Sequence, residues 1–321
     1  MRRFLRFAAP SRLSGICILF LFAEIHLLGC KSKPEPVAVP EKPVPPINSS
    51  LVFERVEADD PGFLHLSFSL GIENPFPSAG RAYIEFWHVE LNGQMIDQNT
   101  LPIECSSCFN LILPGEFSLE AAVSGQYDRT IPSSALFPLA LDMDVEALTV
   151  MGLAPADEYS VVLILDLETL FESDAPQKIR VSGTARFPGV QAPVFSITSI
   201  AILKAELINT RFRVGLKIDN PNPYPVELSA FGYELYGNGR LWADGIEKDI
   251  IRVNGKSSLH GNLFLIMNFI NMKRDLLDQI INLEDVNYRF TGEALVSTSV
   301  DYLPKFQTGF DLSGYSQVFD N

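Results

Sequence analysis

The chain has 321 residues, of which 47% are hydrophobic and 20% are charged, and its formal net charge at pH 7 is −14. Such a chain can bury a core, so its composition excludes wholesale disorder, a collagen-like repeat and a multispan membrane protein. The shortage of basic residues argues against a nucleic-acid partner, because Lys and Arg clusters supply most of the affinity for a phosphate backbone.

The first thirty residues have the pattern of an export signal. Four arginines precede an apolar stretch at residues 15–23, which is too short to cross a bilayer as a helix. The stretch leads into Leu-Leu-Gly-Cys at residues 27–30, which resembles a bacterial lipobox, the motif in which the cysteine becomes the acylated N-terminus. We expect residues 1–29 to be removed and Cys30 to carry a lipid anchor; an uncleaved anchor and a signal peptide without lipidation are the alternatives. Loss of the four arginines and of Glu24 would change the net charge from −14 to −17.

A proline-rich segment follows the cysteine. Residues 30–49 contain six prolines and no large aromatic residue. Proline fixes φ and disfavours helix in the residue before it, so the segment favours an extended polyproline-like chain of about 3.1 Å per residue. We expect this segment to tether the folded part of the protein to a membrane.

The rest of the chain contains a sequence that occurs twice, with an offset of 146 residues. An Asn-Pro motif closes a strand pattern in each copy, and an Asn-Gly pair follows the first asparagine of the motif by 18 residues in both copies. Apolar residues alternate in the same phase before each motif, which is typical of a half-buried β-strand and indicates an internal duplication. The motif residues are Asn74, Pro75 and Pro77 in the first copy and Asn220, Pro221, Asn222, Pro223 and Pro225 in the second. The alternating residues are Leu66, Phe68, Leu70 and Ile72, and Phe212, Val214, Leu216 and Ile218.

Each copy contains about seven short strand patterns separated by Gly, Pro and Asn. This pattern predicts an all-β protein built from two tandem antiparallel β-sandwiches, each with a short helix. We place the first domain at 50–192, the second at 193–315 and a tail at 316–321. Apolar residues at helical spacing over 272–283 predict an amphipathic helix that covers an end or edge of the second sandwich, with a membrane-surface helix as the alternative.

The first copy is longer than the second. A glycine-containing turn sequence at Gly115 matches one at Gly255, and an Arg-x-x-Gly sequence ends at Gly183 and again at Gly292. Gly115 precedes Gly183 by 68 residues and Gly255 precedes Gly292 by 37, so the first copy has about 31 extra residues. We place this insertion at about 126–160, and expect it to add to the sandwich or, alternatively, to bind a partner.

The order of these motifs resembles that of the late embryogenesis abundant type 2 (LEA-2) domain and of the related water-stress and hypersensitive-response (WHy) domain. The resemblance rests on the Asn-Pro motif at 220–225, on Gly-Lys-Ser-Ser-Leu at 255–259 and on Tyr-Arg-Phe-Thr-Gly at 288–292, and the first copy has the shorter Asn-Pro-Phe-Pro form. The resemblance implies a fibronectin- or immunoglobulin-like sandwich in each copy. It also implies a protein without enzymatic activity that protects or binds other macromolecules under water stress.

The residue types of the Asn-Pro motif favour a structural role. The residue before proline is pushed towards extended backbone, the proline ring offers no donor to a neighbouring strand, and an asparagine side chain can bridge its own backbone in a turn. A strand must therefore end at the motif. We interpret it as a rigid corner, with a ligand-contacting loop as the alternative.

The sequence contains little that predicts catalysis. The histidines outside the leader, His65, His88 and His260, do not correspond between the two copies, and no catalytic triad or zinc-binding spacing is present. The acidic residues are scattered through strand ends and loops. We therefore expect surface histidines, no metal and no cofactor.

Cys105 and Cys108 are the candidate redox site. An extended strand would place their Cα atoms about 10 Å apart, beyond the range of about 4.4–6.8 Å that a disulfide permits. A bond between them therefore requires a turn at residues 106–107. Our main expectation is a local structural disulfide or a pair of adjacent thiols, and a redox-active pair or half of a metal site are the alternatives.

Three hypotheses for the function follow. The leading one is a membrane-anchored, non-catalytic LEA-2-type lipoprotein of the bacterial cell envelope, which protects or binds envelope macromolecules under desiccation or osmotic stress. The second is an envelope assembly or adhesion module that binds a partner protein through the insertion or an exposed strand edge. The third is a thiol redox protein that uses Cys105 and Cys108.

Overall fold

The structure, a computed structural model, describes residues 45–96, 108–113, 117–124, 130–171, 174–204, 209–268, 286–316 and 319–320. All of them belong to one compact unit, Pro45–Asn321. The predicted export signal, the predicted lipidation site Cys30, most of the predicted tether, Cys105 and the predicted helix at 272–283 lie outside the described residues. None of the described residues forms a helix long and apolar enough to cross a bilayer.

The described residues form strands and one short helix. The N-terminal elements are β1 (Asn48–Asp60), β2 (Phe63–Asn74), β3 (Gly80–Leu91), β4 (Gln94–Ile96), β5 (Phe109–Ile112), β6 (Phe117–Leu119), β7 (Val123–Ser124), β8 (Thr130–Ile131), β9 (Ser133–Asp144), α1 (Val145–Val150), β10 (Glu158–Phe171) and β11 (Asp174–Pro188). The C-terminal elements are β12 (Val194–Lys204), β13 (Asn209–Asn220), β14 (Val226–Gly237), β15 (Arg240–Glu247), β16 (Ile251–Val253), β17 (Ser257–Asn268), β18 (Val286–Ser297), β19 (Lys305–Ser316) and β20 (Phe319–Asp320).

The long strands form four sheets, two from the elements up to β11 and two from the elements after it. The N-terminal sheets have the orders β1-β2-β9-β5 and β11-β10-β3-β4, with β6 beside β3. The C-terminal sheets have the orders β17-β13-β12-β20 and β15-β14-β18-β19, with β16 beside β14. The ladders between the long strands are antiparallel. We call the two pairs of sheets the N-terminal and the C-terminal sandwich.

Each sandwich buries one face of each of its sheets. Alternate residues of β2 and of β10 point into one apolar cluster, and alternate residues of β13 and of β18 point into a second one. The alternation before each Asn-Pro motif therefore marks the buried face, and all eight of its residues are buried. The prediction of an all-β, antiparallel sandwich fold is confirmed.

A short connection joins the two sandwiches, and side chains of the C-terminal sandwich hold it. The hydroxyl of Tyr302 donates to the carbonyl of Pro188 (2.6 Å), and its ring packs edge-on against Phe187 with centroids 5.8 Å apart. Burial raises the pKa of the Tyr302 phenol, so it remains a protonated donor. Lys256 forms an ion pair with Asp157 across the same junction (2.5 Å).

The strand registers establish which elements of the two sandwiches are equivalent. Strand β9 pairs with β2 from Asn74 opposite Ser133, and β17 pairs with β13 from Asn220 opposite Ser257. Equivalent registers also relate β6 to β16, β10 to β18 and β11 to β19. Strand β9 lies within the proposed insertion, but it has an equivalent, β17, in the C-terminal sandwich and therefore belongs to the fold that both copies have.

The placement of the insertion at 126–160 is thus wrong. Ser133 follows Asn74 by 59 positions, whereas Ser257 follows Asn220 by 37, so the extra residues of the first copy precede β9. They lie on either side of β6, and among them is β5, which has no counterpart at this point of the second copy.

The match of Arg-x-x-Gly at Gly183 to Gly292 is also wrong, because Gly183 lies in β11 and Gly292 in β18, which are not equivalent strands. Both glycines lie in the middle of a strand, and a match of two residues in four is too short to identify equivalent strands.

Candidate functional site

The Asn-Pro motifs form the same corner in both sandwiches. The buried side chain of Asn74 accepts from the backbone N–H of Phe76 (2.9 Å) and donates to the carbonyls of Ser78 (2.9 Å) and Glu120 (2.7 Å). Pro75 and Pro77 lie on either side of Phe76 in this corner. The backbone carbonyl of Phe76 accepts from the backbone N–H of Ala122. The buried amide thus links the end of β2 to the loop behind β6.

Asn220 makes the equivalent contacts in the C-terminal sandwich. It accepts from the backbone N–H of Asn222 (3.0 Å) and donates to the carbonyls of Tyr224 (2.8 Å), Val253 (3.2 Å) and Asn254 (3.1 Å). Three prolines, Pro221, Pro223 and Pro225, alternate with these residues. Both corners join a strand end to its neighbouring loop through one buried asparagine.

The longer motif of the second copy has an additional contact. Asn222 stands where the first copy has the buried Phe76, and its side chain donates to the carbonyl of Gln191 and accepts from the N–H of the same residue, both at 2.8 Å. The hydroxyl of Tyr224 donates to the carbonyl of Gly189 (2.7 Å). The extra Asn and the Tyr of the motif therefore fix the connection between the sandwiches.

The described cysteine, Cys108, is fully buried immediately before β5 and is disulfide-bonded. Its sulfur lies 3.8 Å from the sulfur of Met151, the residue that follows the short helix α1. Cys105, its predicted partner, lies outside the described residues, so this pairing remains a prediction. A buried sulfur inside a core is typical of a structural cysteine, because redox-active cysteines are partly exposed.

A groove of about 860 Å³ crosses the outer face of the sheet β15-β14-β18-β19. Its side chains alternate along the strands with the buried Leu235 and Phe290, so they point away from the core. Two rows of residues that lie side by side across the four strands form most of it. The first row is Ile246, Gly232, Glu293 and Gly309, and the second row is Asp244, Glu234, Thr291 and Asp311. We call this surface the acidic groove.

Two glycines create the acidic groove. The equivalent row of the N-terminal sandwich contains Phe86, opposite Asp166, and Arg180, which bonds to Asp166. Gly232 and Gly309 occupy the positions of Phe86 and Arg180 in the C-terminal sandwich. The side chains that cover the N-terminal sheet are therefore absent from the C-terminal one, and this leaves an open depression.

The groove is negatively charged, and part of its charge is paired. Arg289 binds Asp311 with two hydrogen bonds, at 2.8 and 2.6 Å, which lower the pKa of this aspartate below its usual value. The hydroxyl of Tyr236 donates to Glu234 (2.7 Å), and this bond raises the pKa of the phenol. Asp244 and Glu293 have no hydrogen-bond or ion-pair partner among the described residues. The arrangement attracts cationic groups, with two carboxylates left to receive them.

The sequence reasoning did not identify this groove. The offset of 146 aligns Gly232 with Phe86, so this replacement of a large side chain by glycine could have been found in the sequence. The equivalence of Gly309 and Arg180 follows only from the strand registers. His88, equivalent to Glu234, faces Asp166 at 3.8 Å, and His65 bonds to Asp142 at 2.8 Å. No group of three or more His, Cys, Asp or Glu in the described part of the chain is arranged to hold a metal ion.

Solved structures that are similar to this chain have low sequence identity to it. No protein-family model matches the chain. No curated protein matches it. Among solved structures, a protein from Archaeoglobus fulgidus is 18% identical over 39% of this chain and 97% of its own length, with a TM-score of 0.24.

Two glycosidase structures are also similar to part of the chain. A β-glucuronidase of Bacteroides uniformis is 8% identical, with 78% of this chain and 28% of that chain covered and a TM-score of 0.20. A glycosyl hydrolase family 2 member from Bacteroides cellulosilyticus is 7% identical, with 77% and 28% covered and a TM-score of 0.25. The chain thus spans little more than a quarter of these enzymes, and similarities this low carry no argument about activity.

Proposed function

We propose that the protein is a membrane-anchored, non-catalytic lipoprotein of LEA-2 type, which binds and protects envelope macromolecules under desiccation or osmotic stress. The acidic groove is the observation that carries the proposal. It is an open surface on a hydrogen-bonded four-stranded sheet, and no described residue forms a hydrogen bond or ion pair with Asp244 or Glu293. Rigid strands position such side chains well for binding, because little order has to be imposed when a ligand arrives.

The anchor is supported by the sequence. The lipobox-like residues 27–30 and the proline-rich tether would place both sandwiches close to a membrane. Mass spectrometry of the membrane-extracted protein tests this part. An acylated N-terminal Cys30 is expected, and an unmodified or uncleaved N-terminus would contradict the anchor.

Stress survival tests the role. A strain without the gene is expected to grow normally and to lose viability after drying or hyperosmotic shock, and the wild-type gene should restore survival. A variant with Gly232→Phe and Gly309→Arg reproduces the covered N-terminal face and should not restore it. The matched control, Gly232→Ala with Gly309→Ala, leaves the groove open, and added Cβ atoms meet no close neighbour at either position. Equal survival of all strains under both stresses would contradict the stress role.

A second candidate is an envelope assembly module, and the unpaired carboxylates favour it as well, since a partner's Lys or Arg side chains would complement them. Affinity capture with the wild type and with the filled-groove variant separates the two functions. Loss of one specific protein from the filled-groove sample favours assembly, whereas an unchanged set of captured proteins favours general protection.

The thiol redox hypothesis receives the least support. Cys108 is buried and already disulfide-bonded, and both features favour a structural role. Replacement of Cys105 and Cys108 by Ser should reduce stress survival only as far as it lowers the stability of the protein. A thiol-reductase activity that disappears in this variant would favour the redox function instead.

A further inference from the structure

Strand β17 lies at the edge of its sheet, and His260 is its one titratable residue. It pairs with β13 along its whole length, and no described strand lies against its other edge. Its twelve residues, Ser257–Asn268, contain no Asp, Glu, Lys, Arg or Pro. Such a strand presents a row of unpaired backbone donors and acceptors to another chain, which is why edge strands usually contain protective residues.

The other long edge strands of the described residues have such protection. Strand β1 contains five charged residues and two irregularities in its pairing. Strand β11 contains two prolines besides its charged side chains, and β15 and β19 also contain charged residues. Strand β12 is interrupted by two register shifts and is partly paired by β20. The unprotected edge is therefore a particular feature of β17.

The equivalent edge of the N-terminal sandwich is already covered. Strand β9 contains Pro138, Asp142 and Asp144, and β5 pairs with it from Ala140 to Met143. In the register that relates the two sandwiches, this stretch corresponds to residues 264–267 of β17. The fold therefore accepts an additional strand at this position, and in the C-terminal sandwich no described residue supplies it.

The open edge also has exposed apolar side chains. Phe264 is 66% exposed and Ile266 is 61% exposed on the outer face of the sheet. Opposite them on β13 stand Arg213 and Arg211, which have no partner among the described residues. Two large apolar side chains at an uncharged strand edge indicate a surface that another strand covers.

We propose that β17 pairs with β17 of a second copy of this chain, antiparallel and around a two-fold axis near Phe264. Pairing joins the two sheets into one and brings the exposed Phe264 and Ile266 of both copies together, while the unpaired backbone groups find partners. Strand β17 contains no Asp, Glu, Lys or Arg, and around this axis His260 lies opposite residue 268 of the other copy and not opposite the second His260, so self-pairing brings no like charges face to face. The arginines of the two copies are three strand spacings apart, about 14 Å, and physiological salt screens charges beyond about 8 Å.

Sedimentation of the full chain in detergent, over a range of concentrations, tests the proposal. The wild type is expected to show a monomer–dimer equilibrium. Phe264→Lys should raise the dissociation constant at least tenfold, because two lysines would face each other near the axis. The matched control is Phe86→Lys, which changes a similarly exposed phenylalanine of β3 (61% exposed) and should leave the equilibrium unchanged. Circular dichroism shows whether each variant is folded.

Cross-linking gives a second measurement that does not depend on a loss of binding. Phe264→Cys should form an intermolecular disulfide under mild oxidation, and Phe86→Cys should not. A chain that is monomeric at all concentrations, or a dimer that Phe264→Lys does not weaken and Phe264→Cys does not cross-link, would overturn the proposal. A monomer that binds a strand-forming peptide or phospholipid vesicles through Phe264 would also overturn it and would assign the edge to that occupant.

Discussion

The N-terminal and C-terminal sandwiches have the same asparagine corners and differ on their equivalent outer faces and edges. Asn74 and Asn220 bond to equivalent backbone groups at equivalent positions. In contrast, Phe86 and Arg180 cover the N-terminal sheet where the C-terminal sheet has two glycines. An extra strand covers β9, whereas β17 is open among the described residues.

This difference separates what the fold requires from what each copy can change. The corner amides satisfy buried backbone groups, and no other side chain of similar size both donates and accepts in this way. Side chains on an outer face are exposed to water and can be exchanged at little cost in stability. The two sandwiches therefore differ in a groove and, among the described residues, in an open edge, while both keep the buried asparagine of the corner.

The largest expected effect comes from removing a corner amide. Asn220→Ala removes the partner of three carbonyls, of the backbone N–H of Asn222 and of the side-chain amide of Asn222. The Asn222 amide keeps its bond to Gln191, and because each unsatisfied buried group costs about 1–3 kcal/mol, we expect a loss of about 4 kcal/mol. Asn74→Ala removes three hydrogen bonds, and the expected loss is about 3 kcal/mol. Urea unfolding, followed by Trp87 in the N-terminal and Trp242 in the C-terminal sandwich, assigns each loss to its own sandwich. Equal small losses in both would contradict the corner as the common support of the fold.

Asn→Asp at each corner is the control for this comparison. It keeps the acceptor oxygen for the N–H two residues later and removes the donor to the carbonyls. The Asp variants should therefore lose stability mainly through the carbonyl contacts and the burial of a charge. A corner that tolerates Asp without loss would show that these carbonyls do not need the amide.

The fold class could be predicted from the sequence because alternation of apolar residues depends only on which face is buried. Leu66 to Ile72 and Phe212 to Ile218 showed this alternation directly, and each set lies in a core cluster. The offset of 146 was readable because the two copies have equal lengths between the corner and the following Asn-Gly turn. Beyond that turn the first copy contains extra residues, and only the strand registers show where they lie.

The acidic groove could not be predicted because it results from missing side chains on strands that are distant in sequence. The offset between the sandwiches is 146 for Phe86 and Gly232 but 129 for Arg180 and Gly309. A single alignment offset therefore never places both glycines on the residues they replace. The open edge of β17 escaped the sequence reasoning for a similar reason, since strand order within a sheet is a tertiary property.

The second largest expected effect comes from adding a methyl group at one of two glycines of the same sheet. A Cβ at Gly292 would overlap the carbonyl oxygen of Gly232 and the ring of Phe310, whereas a Cβ at Gly232 meets nothing within 4 Å. Gly292→Ala is therefore expected to cost about 2 kcal/mol, as overpacking of a core does. Gly232→Ala should change stability by less than about 0.5 kcal/mol. Thermal unfolding of both variants measures this difference, and a costly Gly232→Ala would contradict the open floor of the groove.

A smaller effect distinguishes the sandwiches by their redox sensitivity. A disulfide between Cys105 and Cys108 closes a loop so short that the chain-entropy model gives it about 2 kcal/mol as an upper value. Reduction should therefore lower the stability reported by Trp87 and leave that reported by Trp242 unchanged. The Cys105→Ser, Cys108→Ser double variant should be insensitive to reductant. A loss of stability in the C-terminal sandwich would indicate a different pairing of Cys108.

The smallest expected effect concerns the ion pair on each outer face. Arg180 lowers the pKa of Asp166 through two hydrogen bonds, and Arg289 lowers that of Asp311 in the same way, with the acid and the base on exchanged strands. A carboxylate whose pKa is lower in the folded state stabilises the fold above its ordinary pKa, near 4, and this stabilisation disappears as the pH falls through the lowered pKa.

Asp166→Asn should therefore lower stability at pH 7 and lower it less at pH 2, where fewer of these carboxyls are ionised, and the same holds for Asp311→Asn. The side chain of Asp166 is 22% exposed and that of Asp311 is 53% exposed, so solvent screens the second pair more strongly. We expect the loss at pH 7 to be larger for Asp166→Asn than for Asp311→Asn, and added salt to reduce the loss for Asp311→Asn more. Urea unfolding at both pH values measures these losses. The reverse order would mean that the open face of the C-terminal sandwich depends on its ion pair more than the covered N-terminal face does.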